Sequence, residues 1–139
     1  KAIGVSNYGP AHLEAMKEYA TYMPSVNQVE FNPWLQRPHL KQATEDAGAK
    51  LMAYSPLARG HKVDDPELGA IAERLGCTPA QVAIKFCYDE GCITIPKSSN
   101  PSRIIENFAS LDVDISSEIE AIRALECNYV SGWDPTTQP

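Results

Sequence analysis

The sequence has no run of apolar residues near the roughly 18 needed to cross a membrane, and no charged-then-apolar leader opens it. It has no cysteine pair two residues apart and no cysteine–histidine array with zinc spacing among its four cysteines and three histidines. A metal site is therefore not expected. The one Asn-x-Ser, Asn100-Pro101-Ser102, carries the proline that blocks glycosylation. Basic residues are the scarcer charge, 12 against 18 acidic, for a net charge of -6 with no Lys/Arg stripe. Nucleic acid is thereby excluded as a partner, although a local basic pocket for a phosphorylated small molecule is not. Reduced thiols and the absence of a leader point to the cytoplasm. The first residue is Lys1 rather than Met, which reads as a processed chain or a fragment.

What is present is ordinary globular composition, 43% hydrophobic over 139 residues, and the length of one domain. Short apolar runs alternate with amphipathic stretches. Ala2-Ile3-Gly4-Val5 reads as a buried strand, and Gly9-Pro10 opens a helix continued by Leu13, Met16, Lys17 and Ala20. Ser25 to Phe31 is an alternating strand, with Val26, Gln28 and Glu30 on one side and Asn27, Val29 and Phe31 on the other. A helix over 38–47 stops at Gly48, and Lys50 to Tyr54 is a third strand. Two helices follow, the first over 66–75, the second opened by the capping box Thr78-Pro79-Ala80-Gln81. Cys92 to Ile95 is a fourth strand, Asn100-Pro101 starts a helix, and Ser117-Glu118-Ile119-Glu120 predicts a capping box for the last. The tail from Cys127 has no periodicity.

The order βαβαβααβαα implies parallel strands with right-handed crossovers. An open doubly wound nucleotide fold calls for a glycine-rich turn after its first strand, and Gly4 and Gly9 do not make one. A closed (β/α)₈ barrel needs about 250 residues, so the chain has the length of half a barrel. Each strand ends in a polar cluster: Ser6-Asn7, Gln28, Tyr54-Ser55 and Lys97-Ser98. Any one of them is an ordinary turn. Together they mark the barrel end where active sites are built. Asn and Gln amides match a carboxamide, a tyrosine ring stacks on a flat heterocycle, and Lys97, Ser98 and Arg103 at a helix start suit a phosphate.

Lys1-Ala2-Ile3-Gly4-Val5-Ser6-Asn7-Tyr8 resembles the middle signature of the aldo-keto reductases. Ile95-Pro96-Lys97-Ser98 with Arg103-Ile104-Ile105-Glu106-Asn107 resembles the third signature. Asn27 to Pro33 and Ala53 to Leu57 resemble the sixth and seventh strand ends. The resemblance covers nearly all of residues 1–126 and leaves 127–139 as a C-terminal tail. It implies the C-terminal half of a (β/α)₈ barrel, from the fifth strand onward, in an NADPH-dependent reductase of small carbonyl substrates. The partner it implies is the missing N-terminal half.

By that resemblance Ser6, Asn7 and Gln28 hold the nicotinamide carboxamide, and Tyr54 stacks on its ring. Ser55 and Leu57 line the pyrophosphate. Lys97, Ser98 and Arg103 take the 2′-phosphate, and Glu106 and Asn107 reach the adenine, with Ala80 nearby. Arg59 stands close to the pyrophosphate or in an exposed loop. Trp34, Tyr129 and Trp133 are candidate substrate-side aromatics, packing being the alternative for each. The family's proton-donor tyrosine and its Asp, Lys and His partners belong to the second to fourth strands, so no catalytic residue is expected in this chain and the fragment alone is expected to be inactive. The alternative is a non-catalytic NADPH-binding regulatory or structural protein on the same fold.

Overall fold

The computed structural model describes residues 1–138; Pro139, the last residue of the expected tail, lies outside the described residues. Four strands form one parallel sheet in the order β1 (Gly4–Ser6), β2 (Val26–Glu30), β3 (Lys50–Tyr54) and β4 (Ile93–Thr94). Helix α1 (Pro10–Met16) joins β1 to β2, and α2 (Pro38–Asp46) joins β2 to β3. Helices α3 (Pro66–Leu75) and α4 (Pro79–Asp89) join β3 to β4, followed by α5 (Pro101–Ala109) and α6 (Ile119–Arg123). Every helix but α6 opens with proline at its first position, where the missing N–H has no partner to lose.

The register places Ser6 beside Gln28, Gln28 beside Met52 and Glu30 beside Tyr54, so these side chains share one face of the sheet. The opposite face of β2 and β3 carries Asn27, Val29, Leu51 and Ala53, all buried beneath the helices. Phe31, just beyond β2, stacks on Phe86 of α4 with ring centroids 6.2 Å apart. Each such fully buried apolar side chain contributes about 1.5–3 kcal/mol. Thr78 and Gln81 form the expected capping box of α4, each side chain bonding the other's backbone N–H.

Three local expectations change. Helix α1 ends at Met16, and residues 17–19 form a turn. The run Ala2–Gly4 is exposed rather than buried, because β1 is an edge strand paired only with β2. No capping box forms at Ser117. The Glu120 carboxylate is held instead by Arg123 at 2.7 Å, the neighbouring Glu118 by Arg74 at 2.7 Å, and a 3-10 turn over Ser116–Glu118 leads into α6.

The tail is fixed despite its lack of periodicity. The backbone N–H and hydroxyl of Ser131 both donate to the Glu30 carboxylate, which is buried at the end of β2. Arg37 donates to the Glu30 carbonyl at 3.0 Å, to Asp134 at 3.0 Å and to Thr136 at 3.0 Å. Gly9 passes so close to the Thr136 carbonyl that any Cβ there would collide with it.

Candidate functional site

A groove of about 940 Å³ runs from the end of β3 to the start of α5. Its walls come from the loop after β3, the start of α4, and the segment linking β4 to α5. Eight of the residues singled out in the sequence line it: Tyr54, Ser55, Leu57, Lys97, Ser98, Arg103, Glu106 and Asn107. Ala80 and Arg59 line it too.

Ser6, Asn7 and Gln28 lie beyond its Tyr54 end and are linked to it by hydrogen bonds. The Tyr54 hydroxyl donates to Asn7 Oδ1 at 3.2 Å. The Asn7 N–H and the Ser6 hydroxyl both donate to the Gln28 carbonyl, each at 2.9 Å. Asn7 holds a left-handed backbone, φ 60°, a conformation in which asparagine is enriched among non-glycine residues. Burial and the Glu30 carboxylate push the Tyr54 phenol above its usual range, against the pull of Arg37 and Arg59. A phenol so placed stays protonated near neutral pH and serves as a donor and a flat surface, not as a base.

At the other end, Asn100 caps α5, accepting from the backbone N–H groups of Ser102 at 2.9 Å and Arg103 at 3.4 Å. The Ser98 hydroxyl lies in the same turn and accepts from the Asn100 N–H at 3.2 Å. Glu106, the one carboxylate lining the groove, accepts from the Thr78 hydroxyl at 2.6 Å and so ties α5 to the start of α4. Asn107 is almost fully buried, at the groove floor.

Charge sets this groove apart. Among the described residues the ion-paired basic side chains are Lys17, Arg37, Lys41, Lys62, Arg74, Lys85 and Arg123. Those outside such pairs are Lys1, Lys50, Arg59, Lys97 and Arg103, and the last three line the groove. In a chain of net charge -6, uncommitted cations converge on one concave surface. Such a surface attracts a ligand with several negative charges.

The aromatic candidates separate. Trp34 is 2% exposed and packs in the core, its indole donating to Asp65 at 3.1 Å. It offers no surface to a substrate, a correction that follows from the turn after β2 folding the ring under the sheet's helical layer. Tyr129 packs against the core edge, its hydroxyl 3.0 Å from His61 Nδ1 and its ring under the Lys62 ammonium. Trp133 is 70% exposed and borders a second hollow of about 410 Å³ with Ser6, Asn7, Tyr8 and His12.

All four cysteines are free thiols. Burial pushes the Cys87 thiol far up and the Cys92 thiol up to about 12, so neither is a ready nucleophile. No cluster of His, Cys, Asp or Glu able to hold a metal occurs among the described residues, and no described helix is long and apolar enough to cross a membrane. The clamp of Glu30, Arg37, Ser131 and Asp134 went unread in the sequence. The one available signal was Glu30, an acidic residue in an otherwise uncharged strand.

Fold and groove together define a parallel α/β scaffold with a cation-lined groove at its strand ends. Residues 1–126 match the aldo/keto reductase family, and the chain belongs to it. An uncharacterized oxidoreductase of Schizosaccharomyces pombe is 39% identical over 100% of this chain and 51% of its own length. The glyoxal reductase of Bacillus subtilis is 40% identical over 97% of this chain and 49% of its own. The solved apo structure of Gox0644 superposes with a TM-score of 0.89 at 35% identity, covering 99% of this chain and 52% of that one. The chain thus spans about half the length of the curated relatives it matches. Its four βα units are half of a (β/α)₈ barrel, the C-terminal half.

Proposed function

We propose that the groove holds NADPH and that the full-length protein reduces small aldehydes or ketones. The observation that carries this reading is the convergence of Arg59, Lys97 and Arg103 on a groove that ends at Tyr54 and the Ser6–Asn7–Gln28 amide cluster. A nicotinamide dinucleotide phosphate has the matching order of parts: an amide on a flat ring, a diphosphate, and a second phosphate.

When bound, the reduced nicotinamide supplies a hydride to a carbonyl carbon. Everything this chain does is binding and orientation. The Ser6 hydroxyl and the Asn7 and Gln28 amides offer the donors and acceptor that a carboxamide needs. Asn7 already accepts from Tyr54, which leaves its amide nitrogen to donate. The Tyr54 ring is a stacking platform, kept neutral by its surroundings. Ser55 and Leu57 line the diphosphate stretch. Lys97, Ser98 and Arg103 meet the 2′-phosphate beside the start of α5, where helix polarity favours an anion. Glu106 and Asn107 edge the adenine.

Residues 1–126 form the half barrel, and the tail from 127 closes part of its rim beside Trp133. The acid–base residues lie in the half of the relatives' length that this chain does not span. The names of its relatives, glyoxal reductase and aldose reductase B, favour a small carbonyl substrate. Free thiols favour the cytoplasm.

The test is NADPH oxidation with simple aldehydes by the full-length gene product and by residues 1–139 alone. Turnover is expected in the former. Loss of a positioned acid removes a factor of about 10²–10⁴, and the fragment is expected to show none. Robust turnover by the fragment overturns the placement of the acid.

A further inference from the structure

Met52 stands mid-strand in β3, with Gln28 of β2 beside it in register on one side and Ile93 of β4 on the other. The Gln28 amide nitrogen donates to the Met52 sulfur at 3.3 Å. The Ile93 side chain has no polar atom to compete for that amide. A thioether accepts and never donates, so it holds only the nitrogen end of an amide. The contact therefore turns the Gln28 side chain one way round, with Nε2 on the sulfur and Oε1 on the opposite side.

Gln28 Oε1 accepts from no protein group among the described residues, and no buried side-chain oxygen or nitrogen there lacks a partner, so Oε1 is open at the surface of the sheet. Asn7 supplies the complement at the neighbouring strand end. Its Oδ1 accepts from the Tyr54 hydroxyl at 3.2 Å, which leaves Nδ2 unused. One unused acceptor and one unused donor thus lie beside a flat ring, at the ends of β2, β1 and β3. A primary carboxamide carries a donor and an acceptor on one carbon and satisfies both. A carboxylate brings two acceptors and sets one of its oxygens against Gln28 Oε1.

We propose that Met52 is a positioning residue, whose sulfur turns the Gln28 amide so that the site accepts a carboxamide and rejects the corresponding carboxylate. Met52 itself touches no ligand; it acts through Gln28. This inference rests on the NADPH reading of the groove, and it adds a discrimination between the amidated nucleotide and its deamidated, nicotinic acid form.

The experiment titrates the full-length gene product with NADP⁺, with its nicotinic acid analogue and with 2′-phospho-ADP-ribose, which has no ring, read by protein fluorescence. The variants are Met52→Leu, which keeps the volume of the side chain and removes the acceptor, Gln28→Glu, and the two combined. The wild-type protein is expected to prefer NADP⁺ over the analogue by about 5- to 150-fold, the cost of one mismatched polar contact. Met52→Leu frees the amide to turn its nitrogen toward the carboxylate. The preference should narrow by about 2- to 12-fold, the worth of one neutral hydrogen bond, with 2′-phospho-ADP-ribose unaffected. In the Gln28→Glu background both side-chain ends are oxygens and orientation has no meaning. Adding Met52→Leu there should change the preference by less than about twofold, because the two residues act through one group. A wild-type protein without preference overturns the proposal, as does an unchanged preference in Met52→Leu. A change of equal size in the Gln28→Glu background, or a loss shared by 2′-phospho-ADP-ribose, overturns the route through Gln28. A wild-type protein that binds none of the three nucleotides overturns the NADPH reading itself, which separates that failure from this one.

Discussion

The Tyr54 hydroxyl reaches across β2 to donate to Asn7 Oδ1 at 3.2 Å, joining the end of β3 to the turn after β1. That single bond makes the ring proposed to stack on the nicotinamide and one of the amides proposed to hold its carboxamide a unit. Replacing Tyr54 with Phe keeps the ring and removes the bond. The expected cost is about 0.5–1.5 kcal/mol, toward the lower figure because the site is half exposed. Thermal unfolding of the full-length protein reads the cost, and NADPH affinity is expected to stay close to wild type. A large loss of affinity would show that the hydroxyl, not the ring, is what the ligand uses.

On the proposed NADPH reading, cofactor preference is set at the far end of the groove. NADPH differs from NADH by one phosphate, and Arg103 is an unpaired cation beside the start of α5. One charge-assisted contact is worth about 1.5–3 kcal/mol. Arg103→Ala should therefore weaken NADPH about 10- to 150-fold and leave NADH almost unchanged. Equal weakening of both in a fluorescence titration would move Arg103 away from the 2′-phosphate.

The tail clamp is sensitive to acid. Burial raises the Asp134 carboxyl, but hydrogen bonds from Arg37 and Thr136 outweigh it and hold the group below its ordinary value. A carboxyl depressed in the folded state stabilises above its unfolded pKa, near 4, and that stability is lost as pH falls through the folded value. The tail is expected to loosen below about pH 4, seen as a change in the emission of Trp133, with the rest of the fold retained at first. Asp134→Asn should abolish that step. A Trp133 signal that follows the same acid profile in both proteins would show that Asp134 does not govern it.

Residues 1–139 taken alone leave β1 and β4 each paired on one side only. Apolar side chains stand exposed beside both edges: Ile3, Tyr19 and Tyr22 near β1, and Ile93, Ile104 and Phe108 near β4. Open edges and apolar surface promote association. The isolated polypeptide is expected to sediment as dimers or larger species. A monodisperse monomer that unfolds cooperatively would contradict this.

The strands and most helices were legible because proline and glycine punctuate them. Pro10, Pro38, Pro66, Pro79 and Pro101 each stand at a helix start in sequence and in space. The cluster at the Tyr54 end of the groove was legible because it falls at strand ends, where register alone brings Ser6, Gln28 and Tyr54 to one face. Other features depend on partners that no local pattern reveals. Ser117-Glu118-Ile119-Glu120 has the form of a capping box, but Arg123 takes the Glu120 carboxylate, and Arg74, far away in sequence, takes that of Glu118. Trp34 follows a strand end as a rim residue would, and the core takes it because Asp65 waits to receive its N–H. Arg59 was visible as a charge, but the close approach of its guanidinium to Gly132 joins two loops that no motif links.

The bonds from Ser131 to Glu30 close a loop of 101 residues. Contacts so distant along the chain wait on loop closure and form late in folding. During synthesis, Ser131 emerges only after every strand and helix described here has left the ribosome. The sheet and its helices can therefore pack while the rim is still open, and the contacts of the tail form last.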